Sequence, residues 1–153
     1  MVNGWAVSGI SVLQSGFPIR IMSSGDQELM GSFDFETPGE PNQVAPLRRL
    51  DPLTSGGYYF DPASFVDAPP GQIGNAPRTV CCGPGIINLD FALHKTLLQR
   101  ERTNLEFRTE FFNLFNHTQF FNPGGDVTGG TAFGLVSRAR DPRLIQVALR
   151  LAF

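Results

Sequence analysis

The sequence predicts an all-β protein of antiparallel strands, on the evidence of one alternating C-terminal segment, a pair of alternating segments before it and a turn-rich composition. From Ile145 to Phe153 large apolar residues alternate with polar or small ones, the period of a strand with one apolar face. The segment reaches the about 9 to 11 residues that a tilted strand needs to cross a bilayer. Its last residue, Phe153, is aromatic and belongs to the apolar side.

Composition supports strands and turns and says little about partners. The 153 residues include 17 glycines and 12 prolines, and the 14 phenylalanines far outnumber tyrosine and tryptophan together. The net charge of -2 is unremarkable for a chain of this length. No apolar run approaches the about 18 residues of a membrane helix. No export leader opens the chain, so for an exported protein we expect that signal upstream of Met1.

The first predicted strand covers residues 5–22. Its stretch Trp5 to Gln14 is rich in β-branched residues and carries no charge, although its alternation is poor. Gly9 indicates a bulge or a close backbone approach. Pro18 removes one ladder donor, and the strand is predicted to continue beyond it. We expect Trp5 to lie at a membrane interface, where an amphipathic ring is favoured.

Two further strands are predicted at residues 86–97 and 103–115, joined by a tight turn near Arg100. The pairing register stays open at this point. One register sets Asp90 opposite Glu110, and a register shifted by one pair sets Asp90 opposite Arg108. Asp141-Pro142 then precedes the last predicted strand, residues 143–153.

The segments between these strands are too long for an ordinary compact soluble domain. Residues 23–85 show no sustained period, and residues 116–132 are rich in glycine and asparagine. Outer-membrane barrels combine long outward loops with short inner turns. We therefore predict a partial transmembrane β-barrel of about four strands with long extracellular loops, as one barrel domain over residues 1–153.

Strand alternation then assigns each side chain to one of two faces. The predicted lipid-facing residues are Ile87, Leu89, Phe91, Leu93, Leu105, Phe107, Phe111, Ile145, Val147, Leu149, Leu151 and Phe153. The predicted lumen-facing residues are Asn88, Asp90, Glu106, Arg108, Glu110, Gln146 and Arg150.

An arginine cluster near the last strand suggests a lipid contact. Arg138, Arg140 and Arg143 would stand near the outer headgroups if Phe153 marks the inner interface, and guanidinium groups pair well with lipopolysaccharide phosphates. The alternative is that they pair with Asp141 or with loop carboxylates.

Catalytic and metal sites are not predicted. His94 and His117 lack the spacing of metal ligands, and charged residues are ordinary on a barrel lumen. No nucleophile and base constellation appears, so we expect neither an enzyme nor a cofactor. Cys81 and Cys82 are adjacent; a strained vicinal disulfide and two unpaired or crosslinking thiols remain equally open.

The residues together resemble a known family, the C-terminal end of TonB-dependent outer-membrane receptors of the Oar-like, carboxypeptidase-regulatory-like-domain type. The resemblance is carried by Gly83-Pro84-Gly85, Asn88, Asp90, Lys95, Arg108, Glu110 to His117, Phe120, Phe133-Gly134, Ala139 to Arg143, Gln146 and Phe153. It extends to Trp5, Ser8-Gly9-Ile10, Gln14 to Pro18, Phe60-Asp61-Pro62, Phe65, Gly74-Asn75 and Arg78. Cys81-Cys82 and Thr79 depart from the family pattern.

The resemblance implies a barrel of about 22 strands with a plug, importing a scarce ligand with energy passed by TonB. It implies the outer membrane of a Gram-negative bacterium. The implied partners are outer-membrane lipid, the barrel assembly machinery at the C-terminal strand, the rest of the barrel, the plug and TonB, with no nucleic acid. About four strands cannot close a barrel, so we expect a fragment or truncated reading frame that does not transport alone.

The alternative is a freestanding soluble β-sandwich-like binding domain. It would pair its apolar faces and use the long loop to bind a glycan or a protein partner. Solubility separates the two hypotheses, because a sheet that exposes leucine and phenylalanine to water aggregates or requires detergent.

Overall fold

The computed structural model describes residues 4–25 and 39–153, and strands dominate these ranges. The strands are β1 (Trp5–Gln14), β2 (Ile19–Arg20), β3 (Asn42–Gln43), β4 (Phe65–Val66), β5 (Thr79–Val80), β6 (Ile86–Arg100), β7 (Thr103–Phe112) and β8 (Leu144–Ala152). Two short 3₁₀ helices cover Pro62–Ser64 and Val127–Ala132. Over the described ranges, no helix has the length and apolar character that crossing a membrane requires.

The described chain forms two compact units. The first, here called the sheet unit, comprises residues 4–14, 86–119 and 140–153. The second, here called the loop unit, comprises residues 15–25, 39–85 and 120–139.

In the sheet unit, β1, β6, β7 and β8 form one four-stranded sheet in that order. Every neighbouring pair is antiparallel. β1 pairs with β6 without a register shift, and Gly9 lies opposite Phe91. A Cβ atom at Gly9 would lie 3.1 Å from the carbonyl oxygen of Asp90. The close backbone approach, rather than a bulge, therefore accounts for this glycine.

Both registers predicted for the hairpin of β6 and β7 are wrong. Glu110 lies opposite Ala92, and Arg108 lies opposite His94. The turn consists of residues 101 and 102, one to two positions beyond the predicted centre, and a β-bulge lies between Thr96 and Leu98. A bulge adds an unpaired residue to one strand, so the two features together displace every pair from the predicted partners.

The predicted strand bounds also need correction. β1 ends at Gln14, and residues 15–18 lie outside any strand. Ile19 and Arg20 pair instead with Val80 and Thr79 in the loop unit. β6 continues to Arg100, whereas β7 stops at Phe112 because Asn113 adopts a left-handed backbone with φ of 53°.

The loop unit has a hydrophobic core of its own, which the sequence did not predict. Phe60, Phe65 and Phe133 meet edge to face, with ring centroids 5.2 to 6.2 Å apart, the geometry that aromatic quadrupoles favour. Ile19, Ile21 and Ala76 belong to the same core and are almost fully buried. The segment predicted to be an unpatterned loop, residues 23–85, thus contributes Phe60, Phe65 and Ala76 to a core whose other buried side chains come from distant parts of the sequence.

Candidate functional site: the two faces of the sheet

Strand pairing sorts the side chains of the sheet unit into two faces. Trp5 pairs with Lys95, Lys95 with Phe107, and Phe107 with Leu149. Directly paired residues of antiparallel strands point to the same side, so this row defines one face. Every second residue along each strand joins it, except that the bulge in β6 brings Leu98 to this face, opposite Leu105.

One face, here called the apolar face, contains all the residues predicted to contact lipid. Its apolar strand positions are Trp5, Val7, Leu13, Ile87, Leu89, Phe91, Leu93, Leu98, Leu105, Phe107, Phe111, Ile145, Val147, Leu149 and Leu151, with Phe153 following β8. Gly9, Ser11, Lys95, Arg100, Thr103 and Thr109 lie among them.

The apolar face is not covered by a second layer along β8. Leu149 is 65% exposed and Phe153 is 98% exposed, and every residue of β8 is exposed. A sandwich-like soluble domain would bury such side chains against another sheet. The exposed fraction therefore favours a lipid environment over the soluble alternative.

The opposite face, here called the polar face, contains all the residues predicted to face a lumen. Nη2 of Arg108 lies 2.5 Å from Oε1 of Glu110, and Nδ1 of His94 lies 3.5 Å from Oε1 of Glu106. Arg150 lies directly opposite Glu106 on β8. Glu110 and Glu106 thus each have an arginine as a neighbour on this face.

Asp90 lies on the same polar face and has two hydrogen-bond donors. Its Oδ1 accepts from Nδ2 of Asn88 and from the backbone N–H of Asn113, each at 2.9 Å. Neighbouring β1 departs from the polar pattern, because Ile10 and Val12 lie on this face and are exposed.

The two ends of the sheet differ in their connections. The two-residue turn between β6 and β7 lies at one end, here called the turn rim. At the other end, Gln14 pairs with Ile86 and Phe112 pairs with Leu144. The long connections leave and return at this end, here called the connection rim.

A tight asparagine turn follows β7 at the connection rim. Oδ1 of Asn113 accepts from the N–H of His117, and its Nδ2 donates to the carbonyl of the same residue, each at 3.0 Å. Asn113 and Asn116 both have positive φ, a conformation that asparagine tolerates better than most residues. The Asn-rich sequence after β7 therefore reverses the chain directly at the sheet end.

An interface pair lies at the other end of the apolar face. Nζ of Lys95 lies 4.9 Å from the centroid of the Trp5 ring, within the range of a cation–π contact. An indole ring and a long cation are both favoured where hydrocarbon meets water. The position of Trp5 at a membrane interface stays a prediction, with which this contact is compatible.

The predicted arginine cluster is divided between the two units. Arg138 belongs to the loop unit, where its guanidinium carbon lies 5.4 Å from the centroid of Phe121. Arg140 and Arg143 belong to the sheet unit. Their backbone N–H groups donate to the carbonyl of Gln119 at 2.7 Å and to Oδ1 of Asn116 at 2.9 Å.

The chain as a whole matches one family model. Residues 1–146 match the family described as an outer membrane beta barrel domain. The chain belongs to this family. The outer membrane beta barrel domain places the protein in the outer membrane of a Gram-negative bacterium and confirms the all-β antiparallel fold class. No curated protein and no solved structure matches the chain.

The outer membrane beta barrel domain contains further features that bear on a site. The structure joins Cys81 and Cys82 in a disulfide. The carbonyl of Cys81 accepts from Nη2 of Arg49 at 2.6 Å, and that of Cys82 accepts from the hydroxyl of Tyr59 at 2.8 Å. Among residues 4–25 and 39–153, no three His, Cys, Asp or Glu side chains are grouped to hold a metal ion.

Sequence reasoning missed the anchoring role of Gln119. Its side chain is 3% exposed and bonds both backbone groups of Ile87. In the sequence it follows Asn-His-Thr and reads as an ordinary loop residue. Its neighbour Phe120, quoted in the family resemblance, was the nearest available signal.

Proposed function

We propose that the sheet unit forms part of the wall of a TonB-dependent outer-membrane receptor of the Oar-like, carboxypeptidase-regulatory-like-domain type. The observation that carries this proposal is a four-stranded sheet with one charged face and one apolar face, the apolar face being exposed along β1 and β8 and largely half-buried along β6 and β7. In this role the apolar face contacts outer-membrane lipid and the polar face lines the lumen.

The edges of the sheet call for further strands. Within the described chain, β1 and β8 each pair with one neighbour. An unpaired backbone group in hydrocarbon costs several kcal/mol, and single-chain outer-membrane barrels have at least about eight strands. The partners of these two edges are therefore other parts of a larger barrel wall.

The connections support an orientation in the membrane. Outer-membrane barrels have short turns on the periplasmic side and long loops outside. The two-residue turn then lies at the periplasm, and the connection rim lies at the cell surface. Trp5 and Lys95 stand toward the periplasmic interface, as does Phe153.

Two observations support the receptor assignment: the resemblance to the family, and the positions that residues of the Glu110 to His117 motif take in the sheet. Within Glu110 to His117, Phe111 lies on the apolar face, and Glu110 forms an ion pair with Arg108 of the same strand. Asn113 forms the turn after β7. These three residues would thus contribute a lipid contact, an ion pair on the lumen side and a chain reversal to a barrel wall. The partners of the intact receptor are the plug, TonB and, at β8, the barrel assembly machinery.

We assign the polar face a structural role instead of a catalytic one. Its acidic groups Glu106 and Glu110 lie beside Arg150 and Arg108, which suits a lumen wall of mixed charge. The chain by itself is proposed to have no transport activity.

The size of the assembled protein tests the wall proposal. An antibody against a peptide of the turn rim, used on denatured outer membranes, should detect one polypeptide several times the 16.7 kDa of this chain. A 16.7 kDa chain assembled only with further copies of itself would contradict the receptor assignment and leave a self-assembled barrel.

TonB binding tests the receptor class separately. The intact protein, purified in mild detergent, should be retained by the immobilised periplasmic domain of TonB. An eight-stranded outer-membrane barrel without a TonB-contacting segment serves as the control. Equal recovery of both proteins would exclude TonB dependence while leaving the barrel wall unaffected.

A further inference from the structure

Arg143 lies where the apolar face ends at the connection rim. It directly precedes β8 and has the same strand parity as Ile145, Val147 and Leu149. If the strand alternation continued one residue beyond β8, Arg143 would stand at the outer end of the row of apolar side chains.

The separation of Arg143 from Phe153 matches the apolar thickness of an outer membrane. The two residues are ten positions apart. At about 3.3 Å per residue this is about 33 Å along a strand, or about 25 Å of height at a tilt of about 40°. That height equals the about 25 Å apolar band of outer-membrane barrels. With Phe153 at the inner interface, Arg143 reaches the outer headgroups.

The surroundings of Arg143 suit an anionic headgroup. Its side chain is exposed and makes no ion pair with any residue in ranges 4–25 and 39–153. Its backbone N–H is fixed by Oδ1 of Asn116 at 2.9 Å. Phe115, next to Asn116, is 75% exposed, and exposed aromatic rings are typical of the membrane interface. An exposed guanidinium without an ion pair in the described ranges thus belongs to a residue whose backbone Asn116 holds in place.

We propose that Arg143 binds a phosphate of lipid A in the outer leaflet. A guanidinium forms paired, charge-assisted hydrogen bonds with phosphate that a lysine ammonium does not reproduce. Lipid A carries phosphate at the headgroup level where Arg143 lies. The proposal excludes Arg138, which lies against Phe121 in the loop unit. It rests on the orientation given under the proposed function.

Native mass spectrometry of the intact detergent-purified protein tests the site, with diphosphoryl lipid A as the probe. Arg143→Ala should lower the bound fraction about fivefold, the scale of one exposed ion pair. Arg143→Lys should give an intermediate fraction, because it keeps the charge and loses the paired geometry. The matched control is Arg102→Ala, which removes an exposed arginine from the turn rim and should leave binding unchanged.

Two results would overturn the site. One is an unchanged bound fraction in Arg143→Ala, and the other is an equal loss in Arg102→Ala. A third result would concern the partner, namely that phosphatidylglycerol binds as well as lipid A and with the same dependence on Arg143. The site would then bind anionic lipids in general, which would refute lipid A as its specific partner.

Surface labelling separates failure of this site from failure of the proposed orientation. Phe115→Cys, made in a Cys81→Ser/Cys82→Ser background, should react with a membrane-impermeant maleimide on intact cells. Labelling without loss of lipid A in Arg143→Ala refutes the lipid A site alone. Absence of labelling on intact cells, with labelling after lysis, places the connection rim inside and refutes both proposals. Retention by immobilised TonB tests the receptor class, and its outcome does not depend on either of these results.

Discussion

The side-chain amide of Gln119 bonds the backbone of Ile87 as a residue of a neighbouring strand would. Oε1 accepts from the N–H of Ile87 at 3.0 Å, and Nε2 donates to the carbonyl of the same residue. β7 ends at Phe112, so this side of β6 no longer has a strand partner at Ile87. One buried side chain therefore continues the hydrogen-bond ladder past the end of β7.

Gln119→Ala should destabilise the connection rim by about 1–3 kcal/mol, because both backbone groups of Ile87 lose their partner. Hydrogen exchange of the intact protein should show faster exchange at the Ile87 amide. The matched control is Gln99→Ala in β6, where the glutamine is exposed and the change should be within about 0.5 kcal/mol. Unchanged exchange at Ile87 in Gln119→Ala would show that the amide pairing contributes nothing.

Gly16 is required by a close approach of two backbone segments in the loop unit. A Cβ atom at Gly16 would overlap the carbonyl of Gly83, whose carbon lies 2.3 Å from the Cβ position. Gly16→Ala should therefore cost about 1–3 kcal/mol through displacement of backbone. The measurement is pulse proteolysis of the intact protein across a urea series. Gly129→Ala is the control, since its Cβ would meet no atom closer than 3.9 Å, and an equal loss in both variants would contradict the steric explanation.

The side-chain carboxyl of Asp126 is predicted to have a pKa below the ordinary value for aspartate. Burial acts to raise the pKa of its carboxyl, but hydrogen bonds from Ser24 and Thr128 outweigh this effect and leave the pKa lowered. A lowered folded pKa means that the ionised carboxylate stabilises the loop unit above the unfolded pKa of about 3.9. That stabilisation is lost as the pH falls through the folded pKa.

Carbon-13 NMR of aspartate carboxyls in the intact protein measures this titration. The Asp126 midpoint should lie below that of a free aspartate. Thr128→Val removes the hydroxyl that donates to Oδ1 at 2.7 Å, so the midpoint should rise. Asp67→Asn, a substitution elsewhere in the loop unit, should leave it unchanged. A midpoint at or above the ordinary value would refute the stabilising role.

The sequence was sufficient to predict the two faces of the sheet because the alternation is local. Residues 87–93 and 145–153 show the pattern without reference to any partner strand. The hairpin register was not predictable in this way, since it depends on the bulge at residue 97 and on the turn at residues 101 and 102. Neither feature has a distinctive local composition.

The loop unit was beyond local patterns for a different reason. Its core joins Ile19, Phe60 and Phe133, which lie in three separate stretches without a common period. Such a core is defined only by contacts between distant segments. Gln119 was missed similarly, because a single glutamine in a loop carries no sign of the backbone it will bond.

Charge substitutions at neighbouring positions of β8 test the assignment of the two faces. Leu149 lies on the apolar face opposite Phe107, and Ala148 lies on the polar face opposite Arg108. Both side chains are exposed, so neither substitution meets a steric obstacle within the chain. Leu149 is four residues from Phe153, which is about 10 Å of height on a tilted strand, and tilt also means that residues of one row differ in depth. Leu149→Arg should therefore cost about 2–4 kcal/mol, the penalty for an arginine facing lipid near mid-membrane.

Ala148→Arg places the same charge one residue away and should cost within about 1 kcal/mol, because a lumen is wet and repulsion from Arg108 is screened there. Urea titrations of the intact protein in lipid vesicles measure both variants. A soluble sandwich would also penalise Leu149→Arg, so the titration is repeated in vesicles with thinner acyl chains. In lipid the Leu149→Arg penalty should fall as the bilayer thins, because the guanidinium then reaches the interface more easily. A penalty independent of acyl-chain length would mean that Leu149 packs against protein.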